Sequence, residues 1–355
     1  MSKIAVIGAG KTGRGFVGRL LAESNCEILF VDKDADLVSK LNEQKSFDVS
    51  FFGGCRETFS VSNYKACTWD NADFDGVELI LVSVCGPNLK DVGANLSKLL
   101  SADKTYYIIT CENASSPSKT LREAIGMDNV YVSEATVFCT TIENDGININ
   151  SENYPYLQCD AELLNGYNPE PKAITPISNF SNFLTRKLFT YNAASCVIAY
   201  LGWKKGFTDY GEAANDPEIL ELLDKNYEVT NRVLCKEFGY TEEDQAEFAK
   251  LSKIKFCDRT IVDTVARNAR EPQRKLGGSE RIIGPAKLIH QYGEDCSVLE
   301  MTAAAMLMYD NDGEDAWREI KANNTPAQIL ENISGLDTES ALAKNILKYY
   351  EEFNA

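Results

Sequence analysis

Histidine is almost missing from this chain: His290 is the only one among 355 residues. Its scarcity excludes any metal site or acid–base pair that needs two imidazoles. Positive charge is also short. Lys and Arg number 36 against 53 Asp and Glu, a formal net charge of −17. Such a surface repels phosphate backbones and anionic membranes, so neither a nucleic-acid nor a membrane partner is expected. An anionic ligand would need a local basic island. No apolar run approaches the roughly 20 residues of a membrane span. Cysteine is not scarce, at 11, but the number is odd and no CxxC pair occurs, which argues against a disulfide framework or a thiolate metal site. No charged-then-apolar leader precedes Lys3-Ile4-Ala5-Val6. Reduced thiols in a cytoplasmic location are therefore expected. Repeats and low-complexity tracts are absent.

What is present points to an α/β chain. The length allows two domains, and 44% hydrophobic residues supply their cores. Lys3 to Ile7 has the length of a strand. Gly8-Ala9-Gly10-Lys11-Thr12-Gly13 follows at once, and Arg14 to Glu23 reads as a helix. Strand, G-x-G-x-x-G and helix in that order form a dinucleotide-binding turn. The glycines permit the tight turn, close approach to a pyrophosphate, and packing of helix on strand. A second strand, Glu27 to Val31, ends in Asp32. An acid there accepts the ribose hydroxyls of NAD and repels the 2′-phosphate of NADP, although Lys33 weakens the repulsion.

Val77 to Val84 is a near-continuous apolar run, as expected for a strand covered on both faces. Its tip, Val84-Cys85-Gly86, falls where such a strand meets the cofactor. Tyr106 to Thr110 is a further strand, ending in Cys111-Glu112-Asn113. Asn165 to Pro176, with Gly166 and three prolines, reads as a surface connection between domains. Beyond it the pattern is helical. Asp216 to Phe238 is a long amphipathic helix stopped by Gly239, and Thr241 caps the next. We therefore expect an N-terminal Rossmann-type parallel sheet domain over residues 1–178 and a mainly α-helical domain over 179–355.

One helix is expected from Arg186 to Gly202, with Gly202 near its end. It carries Lys187, Asn192 and Ser195. At 3.6 residues per turn they stand at roughly 0°, 140° and 80° around the axis, so an amine, an amide and a hydroxyl share one side. They also suit a buried helix that merely carries three polar residues. Further on, Arg267 to Arg281 is a basic island that includes Arg267, Arg270, Arg274 and Lys275. Arg forks bind phosphate or carboxylate bidentately, or the segment braces the two domains by ion pairs.

The spacing Lys187-x4-Asn192 resembles the Lys-x4-Asn-x2-His signature of the polyol-specific long-chain dehydrogenases, the mannitol dehydrogenase family. The match extends over nearly the whole chain. Arg186 to Thr190, Ala199 to Gly202, Arg270 to Leu276 and Ile333 to Asp337 look like its mannitol-1-phosphate 5-dehydrogenase branch. Two departures stand out. Ser195 occupies the place of the signature His, and the family's Asp-Arg step is replaced around Thr141-Ile142-Glu143-Asn144. The resemblance implies an active site in the cleft between the domains. It also implies a metal-independent, NAD-linked interconversion of a sugar alcohol or its phosphate with the ketose, mannitol 1-phosphate and fructose 6-phosphate foremost. Lys187 would be the base, Asn192 the donor to the oxygen, Ser195 the third catalytic position, in the place of a His that hydrogen-bonds the substrate oxygen or shares the proton, and Asn113 would lie near the nicotinamide and substrate. Another polyol or sugar acid as substrate, or a non-catalytic sugar-phosphate sensor that binds NAD, are the alternatives. His290 is not in the signature position, and a structural role is expected for it.

Overall fold

A computed structural model of the chain describes residues 2–112 and 116–355. The chain divides into two compact units, Met1–Ser181 and Asn182–Ala355. The strands of the first unit, in chain order, are β1 (Lys3–Ile7), β2 (Glu27–Val31), β3 (Phe47–Phe51), β4 (Phe59–Val61), β5 (Tyr64–Cys67) and β6 (Val77–Val82). They continue as β7 (Tyr106–Thr110), β8 (Val130–Thr136), β9 (Thr141–Glu143), β10 (Ile149–Ser151), β11 (Leu157–Asp160) and β12 (Ile174–Ile177). The helices are α1 (Arg19–Glu23), entered through a wide π-type turn at Gly13–Gly18, then α2 (Ala35–Gln44), α3 (Leu89–Leu99) and α4 (Pro117–Ile125).

Eight strands form the main sheet in the order β12-β11-β8-β7-β6-β1-β2-β5. From β5 to β8 every pairing is parallel. Within that run the order is that of a dinucleotide-binding fold, reversing direction at β1 between β2 and β6. Ile7 lies level with Val31 on one side and Val82 on the other. Register therefore brings Gly8, Asp32 and Ser83 to a common edge, the place where ligands bind in open α/β sheets. Apolar clusters cover both faces of the sheet, which is why β1 and β6 are buried almost throughout.

Two features depart from the expectation. The sheet is not parallel to its end, because β11 runs antiparallel to β8 and β12 parallel to β11. The stretch Asn165 to Pro176 is not only a surface connection, since it leads into β12 with Ile174 in the core. Its prolines hid the strand. Pro176 is tolerated because β12 is outermost and the missing N–H breaks no ladder between two neighbours. Phe47 to Phe52 and Glu57 to Val61 read as short strands in the sequence and are found as β3 and β4, but the second, four-stranded sheet they form in the order β4-β3-β10-β9 was not anticipated. Its other two strands, β9 and β10, are of three residues each, too short to show a period.

The second unit is helical: α5 (Phe180–Lys187), whose first two residues lie before the division, α6 (Ala193–Lys204), α7 (Tyr210–Ala214), α8 (Pro217–Phe238), α9 (Glu242–Cys257) and α10 (Val265–Asn268). After them come α11 (Pro272–Lys275), α12 (Ile283–Gln291), α13 (Ser297–Met308), α14 (Asp315–Asn323), α15 (Pro326–Asn332) and α16 (Ala341–Asn354). The caps are those read from the residues. Asp216 accepts from the Ile219 N–H at 3.1 Å, Thr241 from the Asp244 N–H at 3.2 Å, and Gly239 ends α8 at φ 74°. Such caps are worth about 1 kcal/mol each. Helix α6 is apolar over most of its surface, with Ser195 the polar exception before its C-terminal turn, and lies in the middle of this unit's core.

Candidate active site

In the first unit a cavity of ≈ 390 Å³ opens at the shared edge of β1, β2 and β6. The glycine turn contributes Gly8, Gly10, Lys11 and Thr12 to its wall, the tip of β2 contributes Asp32 and Lys33, and the tip of β6 contributes Val84 and Cys85. The other expected residues play supporting parts. The Ala9 N–H donates to Asp32 Oδ2 at 2.6 Å, Gly13 packs under the turn, and Gly86 starts a short 3-10 turn into α3. Asn113 lies outside the described residues. Asn88, at the end of the same tip of β6, also lines the cavity as expected, and so do Trp69 after β5 and Asp91 and Asn95 on α3, which were not anticipated, because only the parallel order of β5, β2, β1 and β6 brings these segments together.

Two of the glycines are required for different reasons. At Gly13 a Cβ would stand 1.9 Å from the Gly8 carbonyl oxygen, so the fold itself demands glycine. At Gly10 a Cβ would meet no protein atom within 4 Å. Glycine there leaves the backbone of the cavity wall bare, as a closely approaching pyrophosphate needs. Asp32 Oδ1 accepts from the Asp34 N–H at 3.0 Å, and both carboxylate oxygens keep a lone pair for ribose hydroxyls. The residues present fit NAD.

In the second unit the expected single helix is in fact three pieces. Helix α5 ends at Lys187, a wide π-type turn covers Leu188–Asn192, and α6 begins at Ala193. In such a turn each residue advances less around the axis than in an α-helix. The 140° expected between Lys187 and Asn192 therefore closes toward the Lys187 side. A buried network holds the turn. Arg186 Nε donates to Gln245 Oε1 at 2.7 Å, and Gln245 Nε2 donates to Thr190 Oγ1 at 3.3 Å and Asn231 Oδ1 at 2.9 Å. Gly202 is not a terminus either. Helix α6 runs on to Lys204, and a Cβ at Gly202 would lie 2.7 Å from the Cβ of Ala213. The glycine lets α6 and α7 pack closely.

Lys187 is half-buried. Burial, with the positive charges of Lys255 and Arg281, brings its ammonium down from the ordinary lysine value to about 7. The Asn192 amide is half-buried and makes no side-chain hydrogen bond among the described residues. Ser195 belongs to a chain of neutral groups: Tyr210 OH donates to Ser195 Oγ at 3.2 Å, and Ser195 Oγ donates to Asn268 Oδ1 at 3.4 Å. Burial holds the Tyr210 phenol well above its usual value. Around Ser195, then, no group of this chain of bonds titrates near neutrality.

The basic segment is tightly tied down. Lys275 is buried and donates to the Asn268 carbonyl at 2.6 Å, Tyr200 OH donates to the Ala269 carbonyl at 2.8 Å, and the buried Glu314 carboxylate accepts the Glu271 N–H at 3.1 Å. Glu271 stands at φ 57°, immediately before Pro272. Arg267 pairs with Asp263 at 2.8 Å and Arg274 with Glu271 at 2.9 Å. Arg270 makes no ion pair among the described residues and donates to the Arg267 carbonyl at 3.2 Å. The segment thus contains local ion pairs, one tied-down lysine and one guanidinium without an acid. Arg281 and Lys255, which act on Lys187, were missed. Arg281 sat at the edge of the island, and nothing in the sequence linked Lys255 to the signature. His290 is exposed on α12, and Glu143 lies on β9 with its carboxylate 3.9 Å from Arg14.

Residues 2–147 match the family model for the mannitol dehydrogenase Rossmann domain, and residues 179–354 that for the mannitol dehydrogenase C-terminal domain. The chain belongs to the mannitol dehydrogenase family. It is an oxidoreductase, and the alternative of a non-catalytic sensor is set aside. A mannitol-1-phosphate 5-dehydrogenase of Thermoanaerobacter pseudethanolicus is 29% identical over 99% of this chain and 98% of its own. Among solved structures, a substrate-free D-sorbitol dehydrogenase superposes with a TM-score of 0.75 at 15% identity, covering 99% of this chain and 93% of its own. The Pseudomonas fluorescens mannitol 2-dehydrogenase, in ternary complex with NAD and D-mannitol, gives 0.63 at 11% identity, covering 99% and 91%. At these identities the superpositions speak for the fold.

Proposed function

We propose that the chain is an NAD-dependent dehydrogenase that interconverts a sugar alcohol, or its phosphate, with the ketose, mannitol 1-phosphate and fructose 6-phosphate being the favoured pair. The observation that carries this reading is Lys187, brought to about 7 at the start of the turn that presents Asn192. A lysine at its ordinary value would be almost wholly protonated at neutrality and a poor base. At about 7 it is divided between amine and ammonium and can take or give a proton. In oxidation the Lys187 amine takes the hydroxyl proton, and Asn192 Nδ2–H donates to the oxygen as negative charge develops there. In reduction the Lys187 ammonium returns the proton. Bound NAD supplies the hydride acceptor or, as NADH, the donor. The glycine turn and Asp32 hold it from the first unit.

The substrate phosphate is assigned to the basic segment, with Arg270 and Arg274 foremost. The mannitol-1-phosphate 5-dehydrogenase named above, which aligns along almost its full length, supports a phosphorylated substrate, and so does the acid-free Arg270 guanidinium. The test is loss of NADH absorbance with fructose 6-phosphate, run beside fructose and other ketoses. Turnover of fructose 6-phosphate is expected to be fastest. Turnover of an unphosphorylated ketose alone would overturn the phosphate assignment. For Arg270→Ala, KM is expected to rise at least tenfold for the phosphorylated sugar and little for its unphosphorylated analogue, as for a lost charge-assisted bond of roughly 1.5–3 kcal/mol. An equal effect on both would show Arg270 to be structural.

A further inference from the structure

Arg14 opens the helix after the glycine turn, yet its side chain is 1% exposed. A buried guanidinium is costly unless its donors are met by acceptors. Here they are met by two backbone carbonyls from separate parts of the first unit. Nη1 donates to the Ala9 carbonyl inside the glycine turn, and Nε donates to the Ile147 carbonyl at 3.2 Å, just before β10. Nη2 approaches the exposed Glu143 carboxylate of β9 at 3.9 Å.

The residue bonded in this way is the one whose N–H is held by Asp32 at 2.6 Å. Ala9 is therefore gripped at both ends, by a carboxylate on its N–H and a guanidinium on its C=O. A trans peptide points its C=O and the following N–H in opposite directions. With the Ala9 carbonyl drawn back toward Arg14, the Gly10 N–H is turned the other way, to the side of the turn where Gly10 lines the cavity. Two further contacts tie the small sheet to the same turn. Thr12 Oγ1 lies 3.3 Å from Thr141 Oγ1, and a Cβ at Gly15 would stand 2.2 Å from the Ile149 side chain.

We propose that Arg14 is a positioning residue for the cofactor: it fixes the Ala9–Gly10 peptide so that the Gly10 N–H faces the pyrophosphate, using the β9–β10 hairpin as its anchor. This rests on the reading of the cavity as the NAD site. Arg14 touches no ligand itself. It acts through one peptide plane, so its removal weakens ligands that carry a pyrophosphate and spares those that do not.

The test measures NADH binding by fluorescence, and displacement of NADH by ADP-ribose and by adenosine, for wild type, Arg14→Met and Arg14→Lys. In Arg14→Met, Kd for NADH and ADP-ribose should rise at least tenfold, while adenosine stays within twofold. Arg14→Lys keeps the charge and one of the two backbone bonds, and should weaken ADP-ribose about threefold. If Arg14→Met does not fold, Arg14→Lys decides alone. Equal weakening of ADP-ribose and adenosine would show a merely structural arginine, and unchanged ADP-ribose binding would show that the peptide needs no clamp. Either result overturns the proposal. A wild-type protein that binds no NADH would overturn the cofactor reading together with it, whereas wild-type binding without the selective loss overturns only the role of Arg14.

Discussion

At the scale of residues, Lys187 is the proposed base, and on that proposal its environment sets the pH dependence. Because its value is lowered to about 7, the amine predominates above that pH and the ammonium below. Alcohol oxidation needs the amine, so kcat/KM for the polyol should rise as pH passes upward through about 7 and then level off. Ketose reduction needs the ammonium, so its kcat/KM should fall over the same interval. A profile flat between pH 6 and 9 in both directions would remove Lys187 from the role. Lys187→Ala should lower kcat by at least about 100-fold, the usual scale of general acid–base catalysis, with Kd for NADH unchanged. Ser195 is a different case. Its proton goes to Asn268 and one lone pair to Tyr210, leaving it able only to accept from a substrate or water. Ser195→Ala should cost roughly tenfold or less, as one neutral hydrogen bond does, and a thousandfold loss would make Ser195 a principal catalytic group. Asp32 is the proposed determinant of the choice between NAD and NADP. NAD should exceed NADP in kcat/KM, and Asp32→Ser should narrow the gap through loss of the repulsive charge.

At the scale of elements, the sequence was legible where local chemistry is one-dimensional. The glycine turn, the Asp216 and Thr241 caps and the buried runs of β1 and β6 each announce themselves within a few residues. The Lys187–Asn192 spacing was legible as well, but the geometry behind it was not. Nothing local marks Leu188–Asn192 as a wide turn. It exists because Gln245, over fifty positions away in the chain, satisfies Thr190 and Arg186 from the side. Strands β9 to β12 were missed for a related reason, since they are short and become strands only through partners. The small sheet's contact with the glycine turn, and hence Arg14, was hidden with them. Gly202 shows the converse error, a residue whose type suggested an end and whose packing shows a crossing of helices. Gly202→Val should force α6 from α7 and cost about 2 kcal/mol, within the usual range for overpacking. The shift should appear in the urea midpoint, and an unchanged midpoint would mean that the crossing relaxes freely.

At the scale of the whole molecule, each unit has its own core, and the proposed cofactor and catalytic residues lie on different units. If NADH is held from the first unit, as proposed, it should stabilise the native chain by linkage, about 2.7 kcal/mol at a hundredfold excess over Kd. A rise in Tm with NADH, and a smaller one with NADPH, is the expected result. The −17 charge makes the basic segment the exception on this surface, and the segment includes a residue that the backbone would rather not hold as it does. Glu271, left-handed before a proline, costs on the order of 1–3 kcal/mol, against which stand the Glu314 carboxylate on its N–H and the Arg274 ion pair. A laboratory selecting variants for heat resistance would be led to this position early, because glycine relieves the strain at once. Such a variant would survive a hotter bath with Arg274 left to Glu280 alone, 3.9 Å away. If Arg274 holds the substrate phosphate as proposed, the gain in shelf life would come at the expense of grip on dilute substrate, and a selection run at saturating sugar phosphate would never see the defect.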